Sequence, residues 1–123
     1  MMEWNKEAAI RLINARAGTR SQHACARYTR EAIAAGGIRL DTTNLAKNYG
    51  SLLERAGFVK LWPGETILEG DVIVIQGITA NEAGHMAMFN GSFWVSDFRQ
   101  SKDIYPGPGY RKARPAYQIY RMK

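Results

Sequence analysis

Apolar residues return every three or four positions in the first half of the chain and every one or two in the second, so the pattern itself divides the molecule. Asn5 caps a helix running to about Ala17, with Ala8, Ala9, Leu12, Ile13 and Ala15 as its apolar stripe and Gly18 as its stop. A polar connection leads to a second helix that starts near Cys25 and runs to about Ala35, where Gly36-Gly37 ends it. On it Cys25, Tyr28, Thr29, Ala32 and Ile33 follow the i, i+3, i+4, i+7, i+8 rule and form the inward face, while Arg27, Arg30 and Glu31 face out. Thr42-Thr43-Asn44 offers caps for a third helical region that carries Leu45, Ala46, Tyr49, Leu52, Leu53 and Ala56 to Gly57, with Gly50 bending or splitting it.

From Phe58 the period becomes that of extended chain. Residues 58–61 form a short strand closed by Trp62-Pro63-Gly64, and Glu69-Gly70-Asp71 turns into Val72-Ile73-Val74-Ile75, a β-branched run suited to burial on both faces. After a loop at 77–84, residues 85–89 and 92–98 read as two strands joined by Asn90-Gly91, a strong signal for a two-residue hairpin. Residues 103–114 are irregular, with Pro106, Pro108 and Pro115, and 117–121 close the sheet. The expected class is α+β: N-terminal helices packed on a C-terminal antiparallel β-sheet in one domain spanning 1–123.

Composition narrows this further. With 123 residues, 46% of them hydrophobic, the chain is long enough for one packed core. No apolar run approaches the roughly 18 positions of a membrane span, so no transmembrane segment is expected. The start lacks the basic and then apolar run of a Sec signal. One cysteine excludes an internal disulfide and a multi-cysteine zinc site. The net charge of +6, from 17 basic against 11 acidic residues, predicts attraction to polyanions without choosing among them.

The lone cysteine carries the candidate chemistry. A helix start presents unpaired N–H groups and the positive end of the helix dipole, which favour a thiolate and a lowered pKa; the alternative is a small apolar residue filling a helix contact. His85, after Gly84 at a strand start, is the natural base for Cys25, the alternative being a strand histidine with a structural hydrogen bond. His23, two residues before the thiol, is the rival base or a feature of the pocket. Pairing Phe89 with Ser92 sets His85 opposite Ser96, with Asp97 one step on, so either Asp97 or Ser96 can orient the imidazole; a carboxylate would also stabilise the imidazolium, although register alone favours Ser96. The Cys25 N–H offers one oxyanion donor, with Ser21 or Gln22 as the second. Trp62, Trp94, Phe98, Tyr105 and Tyr110 are divided between groove and core.

The order of Cys-Ala-Arg-Tyr at 25–28, Gly-Asp-Val-Ile-Val-Ile at 70–75, Gly-His-Met-Ala-Met-Phe at 84–89 and Phe-Trp-Val-Ser-Asp-Phe at 93–98 resembles the NlpC/P60 and CHAP superfamily of papain-like peptidoglycan hydrolases. Within it, residues 19–121 look like small amidase effectors of type VI secretion. The resemblance implies a papain-like cysteine amidase or endopeptidase cutting an amide in the peptide stem or cross-link of the bacterial cell wall. Cys25 would be the nucleophile, His85 the base and then the acid, and Asp97 the orienting residue, with Ser21, Gln22, His23, Ser96 and Trp94 as candidates beside the substrate. It also implies a monomer without metal, cofactor or nucleic-acid partner. Such an enzyme is made without a Sec signal and is either a lysin released by a phage holin or an antibacterial toxin that is secreted or injected to act in the target-cell periplasm, the toxin being held off in its producer by an immunity protein covering the Cys25 cleft. The rival readings are a non-catalytic cell-wall or polyanion-binding module and a papain-like deamidase or acyltransferase acting on protein.

Overall fold

The structure, a computed structural model, describes residues 4–20, 23–100 and 103–122. Helices α1 (Lys6–Arg16) and α2 (Cys25–Ala35) come first, followed by a 3-10 turn (Ala46–Asn48) and α3 (Tyr49–Arg55). Strands β1 (Phe58–Lys60), β2 (Val72–Ile75), β3 (His85–Phe89) and β4 (Trp94–Val95) follow, then α4 (Pro108–Ala113) and β5 (Tyr117–Met122). The five strands form one sheet in the order β1-β5-β2-β3-β4, and each neighbouring pair is antiparallel. The α+β class holds, with α1 to α3 preceding the sheet and α4 inserted before its last strand.

Local chemistry explains most boundaries. Asn5 caps α1 by accepting from the Ala8 N–H at 3.0 Å. The third helical region is a 3-10 turn that passes into α3 between Asn48 and Tyr49; Gly50, expected to bend or split it, lies inside α3, where a Cβ would strike the Tyr120 hydroxyl, so glycine lets β5 approach the helix. The irregular stretch expected at 103–114 contains α4, six residues long with Pro108 in its first turn; a proline that reads as a breaker is here a starter, because its fixed φ and missing N–H suit a helix start.

β2 is buried on both faces. Val72 and Val74 join Ile13, Ile33, Leu53, Phe58, Met86, Met88 and Tyr120 in the core beneath the helices. Ile73 and Ile75 join Leu61, Ala87, Trp94, Tyr105 and Ile119 on the opposite face. Both packed layers meet at β3, against which α2 lies.

The hairpin after β3 differs from its expected form. Phe89 pairs with Trp94 and Met88 with Val95, so the loop has four residues rather than two. The Asn90 side chain selects this loop by accepting from the backbone N–H groups of Ser92 and Phe93 at 2.9 and 2.7 Å. β4 then ends at Val95, where the chain folds back: the Ser96 N–H donates to Phe98 O and the Gln100 N–H to Trp94 O. The strand expected over 92–98 is thus a two-residue strand and a tight turn, which aims 96–100 at the start of α2.

Candidate active site

Cys25 is the first residue of α2, preceded by Ala24 as N-cap. No side chain of Ala24 can cap the helix, and the tertiary structure supplies the missing group. The Asp97 carboxylate accepts from the Ala24 N–H at 3.0 Å across 73 residues, and Ser96 Oγ donates to the same carboxylate at 3.1 Å. Gly18 N–H donates to the Asp97 carbonyl, so the connection between α1 and α2 is tied to the same turn. Asp97 therefore fixes where the helix of Cys25 begins.

His85 opens β3 behind Gly84, whose φ of 80° lies in the left-handed region and whose missing Cβ avoids the Ile75 carbonyl. Its ring Nε2 lies 2.9 Å from Gln100 Oε1. The Gln100 amide is itself fixed, because its Nε2 donates to the carbonyls of Asp103 and Ile104 at 2.9 and 3.0 Å. Its Oε1 is consequently the acceptor, the imidazole Nε2 carries the proton, and Nδ1 is left as the basic nitrogen. Among the described residues the hydrogen-bond partner of the His85 ring is thus Gln100, where the sequence led us to expect Asp97 or Ser96. The two-residue shift in register and the turn at 96–98 remove the assumed pairing.

Cys25 and His85 line one cleft of ≈ 790 Å³, together with His23, Arg27, Arg30, Phe98 and Tyr110 among others. Burial pushes the Cys25 thiol up from its usual value, and the Asp97 charge adds to this; the N–H groups of Met86, Ala26 and Cys25 pull the other way with less effect. The lowered pKa expected from the helix start alone is therefore corrected: desolvation outweighs the helix terminus. Burial likewise pushes the His85 imidazole below its usual value, against smaller upward contributions from Gln100 and Asp97. Both shifts oppose charge on the resting groups.

The other candidates separate cleanly. His23 lines the cleft with φ of 59°, a left-handed conformation that an ordinary residue adopts only where its surroundings enforce it. Ser96 is buried and spent on Asp97. Trp94, expected beside the substrate, lies in the core on the far face of the sheet, packed on Phe89 at 5.2 Å, because its register points it away from the cleft. Tyr105 is also core, whereas Phe98 and Tyr110 reach the cleft with rings 6.2 and 6.4 Å from that of His85. Trp62 is 81% exposed and is not among the residues lining the cleft. Ser21 and Gln22 fall outside the described residues. Gln100 was missed; the sequence signal was a polar, uncharged side chain shortly after the strand, the amide that a cysteine–histidine pair uses as its third member.

An α+β domain in which a thiol at a helix start and an imidazole at a strand start share a cleft is the class that fold and site define. No family model and no curated protein matches the chain. Among solved structures, it is similar to a chain in the native type VI effector–immunity complex Tae3–Tai3 from Ralstonia pickettii, at 42% identity and a TM-score of 0.92, covering 98% of this chain and 100% of that one. The selenomethionine form of the same complex matches at 44% identity and a TM-score of 0.86, covering 92% and 98%. The chain belongs to the family of the type VI effector Tae3.

Proposed function

We propose that this protein is a papain-like cysteine amidase of the NlpC/P60 kind that hydrolyses an amide in the peptide stem or cross-link of bacterial peptidoglycan, as an antibacterial effector of type VI secretion. One observation carries the reading: Cys25 and His85 share a cleft, and Gln100 holds the imidazole so that its Nδ1 is basic. The family relationship supports the effector role, and the resemblance of the sequence motifs supports the substrate class.

The mechanism follows from a thiol and an imidazole that share one cleft. Cys25 Sγ attacks the amide carbon as its proton passes to His85 Nδ1, and the oxyanion forms toward the Cys25 backbone N–H. His85 then returns the proton to the leaving amine, the C–N bond breaks, and a thioester remains. Water, deprotonated by the same nitrogen, cleaves the thioester and restores the thiol. Burial of both groups opposes charge in the resting enzyme. Gln100 keeps the ring in the tautomer this sequence needs, and Asp97 keeps the thiol's helix in place.

The periplasm of the target cell is the compartment of this substrate. A protein of this activity endangers its producer, and an immunity protein seated over the Cys25 cleft would neutralise it. The test is digestion of purified sacculi followed by separation of the muropeptides. New stem termini or lost cross-links are expected with the parent protein and neither with Cys25→Ala, whose fold should be unchanged; equal digestion by Cys25→Ala would refute the mechanism.

A further inference from the structure

The cleft contains a charge that the chemistry at Cys25 does not use. Arg30 stands on α2 five residues after Cys25, about 7.5 Å further along the helix axis, and it lines the same cleft. Its Nε is buried, yet it has no hydrogen-bond partner among the described residues. The nearby carboxylates are engaged elsewhere: Glu31 pairs with Arg16, and Glu82, also on the cleft wall, accepts from the Thr79 N–H and hydroxyl. Neither forms an ion pair with Arg30 among the described residues. Arg27 adds a second positive charge to the rim, its guanidinium 5.4 Å from the Tyr28 ring centroid.

The Nε is closed to solvent and ligand alike, whereas the half-buried side chain lines the cleft and its guanidinium makes no hydrogen bond among the described residues, so its remaining N–H groups are open to an acceptor that arrives with the ligand. A guanidinium is best satisfied by two oxygens of one anionic group, which a carboxylate offers and a peptide carbonyl does not. Arg30 lines the same cleft as Cys25, so that carboxylate belongs to the segment of the ligand that is bound together with the scissile amide.

We propose that Arg30 is the specificity-determining residue of this cleft, binding a free carboxylate on the segment bound with the scissile amide and so selecting the carboxylate-bearing part of the stem. This deepens the amidase reading and rests on it for the substrate. The experiment uses one cross-linked muropeptide in two forms, with its carboxylates free and with them converted to methylamides. Turnover is measured with the parent, Arg30→Gln and Arg30→Lys. Binding is measured by calorimetry with Cys25→Ala and with Cys25→Ala carrying Arg30→Gln.

The parent should lose about 10- to 100-fold in kcat/KM on the methylamide, the range expected for one charge-assisted pair. Arg30→Gln should treat the two forms within about threefold, and Arg30→Lys, which keeps the charge without the fork, should recover part of the preference. Binding should show the same preference in Cys25→Ala and its loss in the double variant. A parent that cuts both forms equally, or an Arg30→Gln chain that discriminates as the parent does, overturns the proposal while leaving the amidase reading intact. Absence of turnover on either form, with the Arg30-dependent binding preference retained, refutes the amidase reading and leaves the carboxylate site standing.

Discussion

Two buried carboxylates mark two regions of the molecule and use the same side chain differently. Asp71, 1% exposed at the start of β2, meets Arg121 of β5 through a two-pronged pair, Nε to Oδ1 and Nη2 to Oδ2, both at 2.9 Å. Its Oδ2 also accepts from the Leu68 N–H, and Glu65 joins the same guanidinium. Asp97, fully buried, instead accepts from the Ala24 N–H and the Ser96 hydroxyl, and its charge acts on both His85 and Cys25. At Asp71 a cation closes a turn against the sheet; at Asp97 a backbone donor locates a helix start. The first arrangement locks strands together, and the second carries position and potential into a cleft.

The largest effect should come from breaking the first region. Arg121→Met leaves the Asp71 carboxylate buried without its cation and should destabilise the fold by about 3 kcal/mol, read from urea unfolding. The folded fraction should keep the parent kcat, because nothing at Asp71 touches the cleft. A drop in kcat of the folded enzyme would show that the two regions are coupled.

A smaller effect is expected at the second region, in rate rather than stability. Gln100→Leu removes the acceptor on His85 Nε2 and should lower kcat about 10- to 100-fold with KM little changed. Steady-state kinetics on a defined muropeptide would measure it. An unchanged kcat would return the orienting role to another group.

The finest distinction is in pH. Burial holds His85 below its usual value of about 6.5, so the acid limb of kcat/KM should lie below that pH. The Asp97 charge raises the His85 value, so Asp97→Asn should move the limb further down. An upward shift would contradict this assignment. Stability obeys the same sign. The unfolded chain takes up the proton before the folded one does, so the contribution of His85 is complete above about pH 6.5 and is lost as pH falls through the folded value.

Local pattern carried much of this molecule. The spacing of Thr29, Ala32 and Ile33 identified the buried face of α2, and the Gly36 stop matches its end. The unbroken run Val72-Ile73-Val74-Ile75 foretold a strand buried on both faces. A single cysteine at a helix start and a histidine behind a glycine at a strand start were visible as a pair, because each position follows from short-range signals: the helical period from Cys25 to Ile33 and the glycine before the strand.

What no local signal encoded was register and burial. Sequence alone determined the α+β layering, the helix that holds Cys25 and the strand that holds His85. Tertiary structure decided that a four-residue loop would replace the Asn90-Gly91 turn, sending Trp94 to the core, Asp97 to the Ala24 N–H and Gln100 to the imidazole. It also decided the sign of the thiol's shift, upward by desolvation where the helix start alone argued for downward. The physical reason is one of range. Capping and periodicity act within a few residues, whereas hydrogen-bond partners across 73 residues and the loss of water around a side chain exist only once the chain has closed on itself.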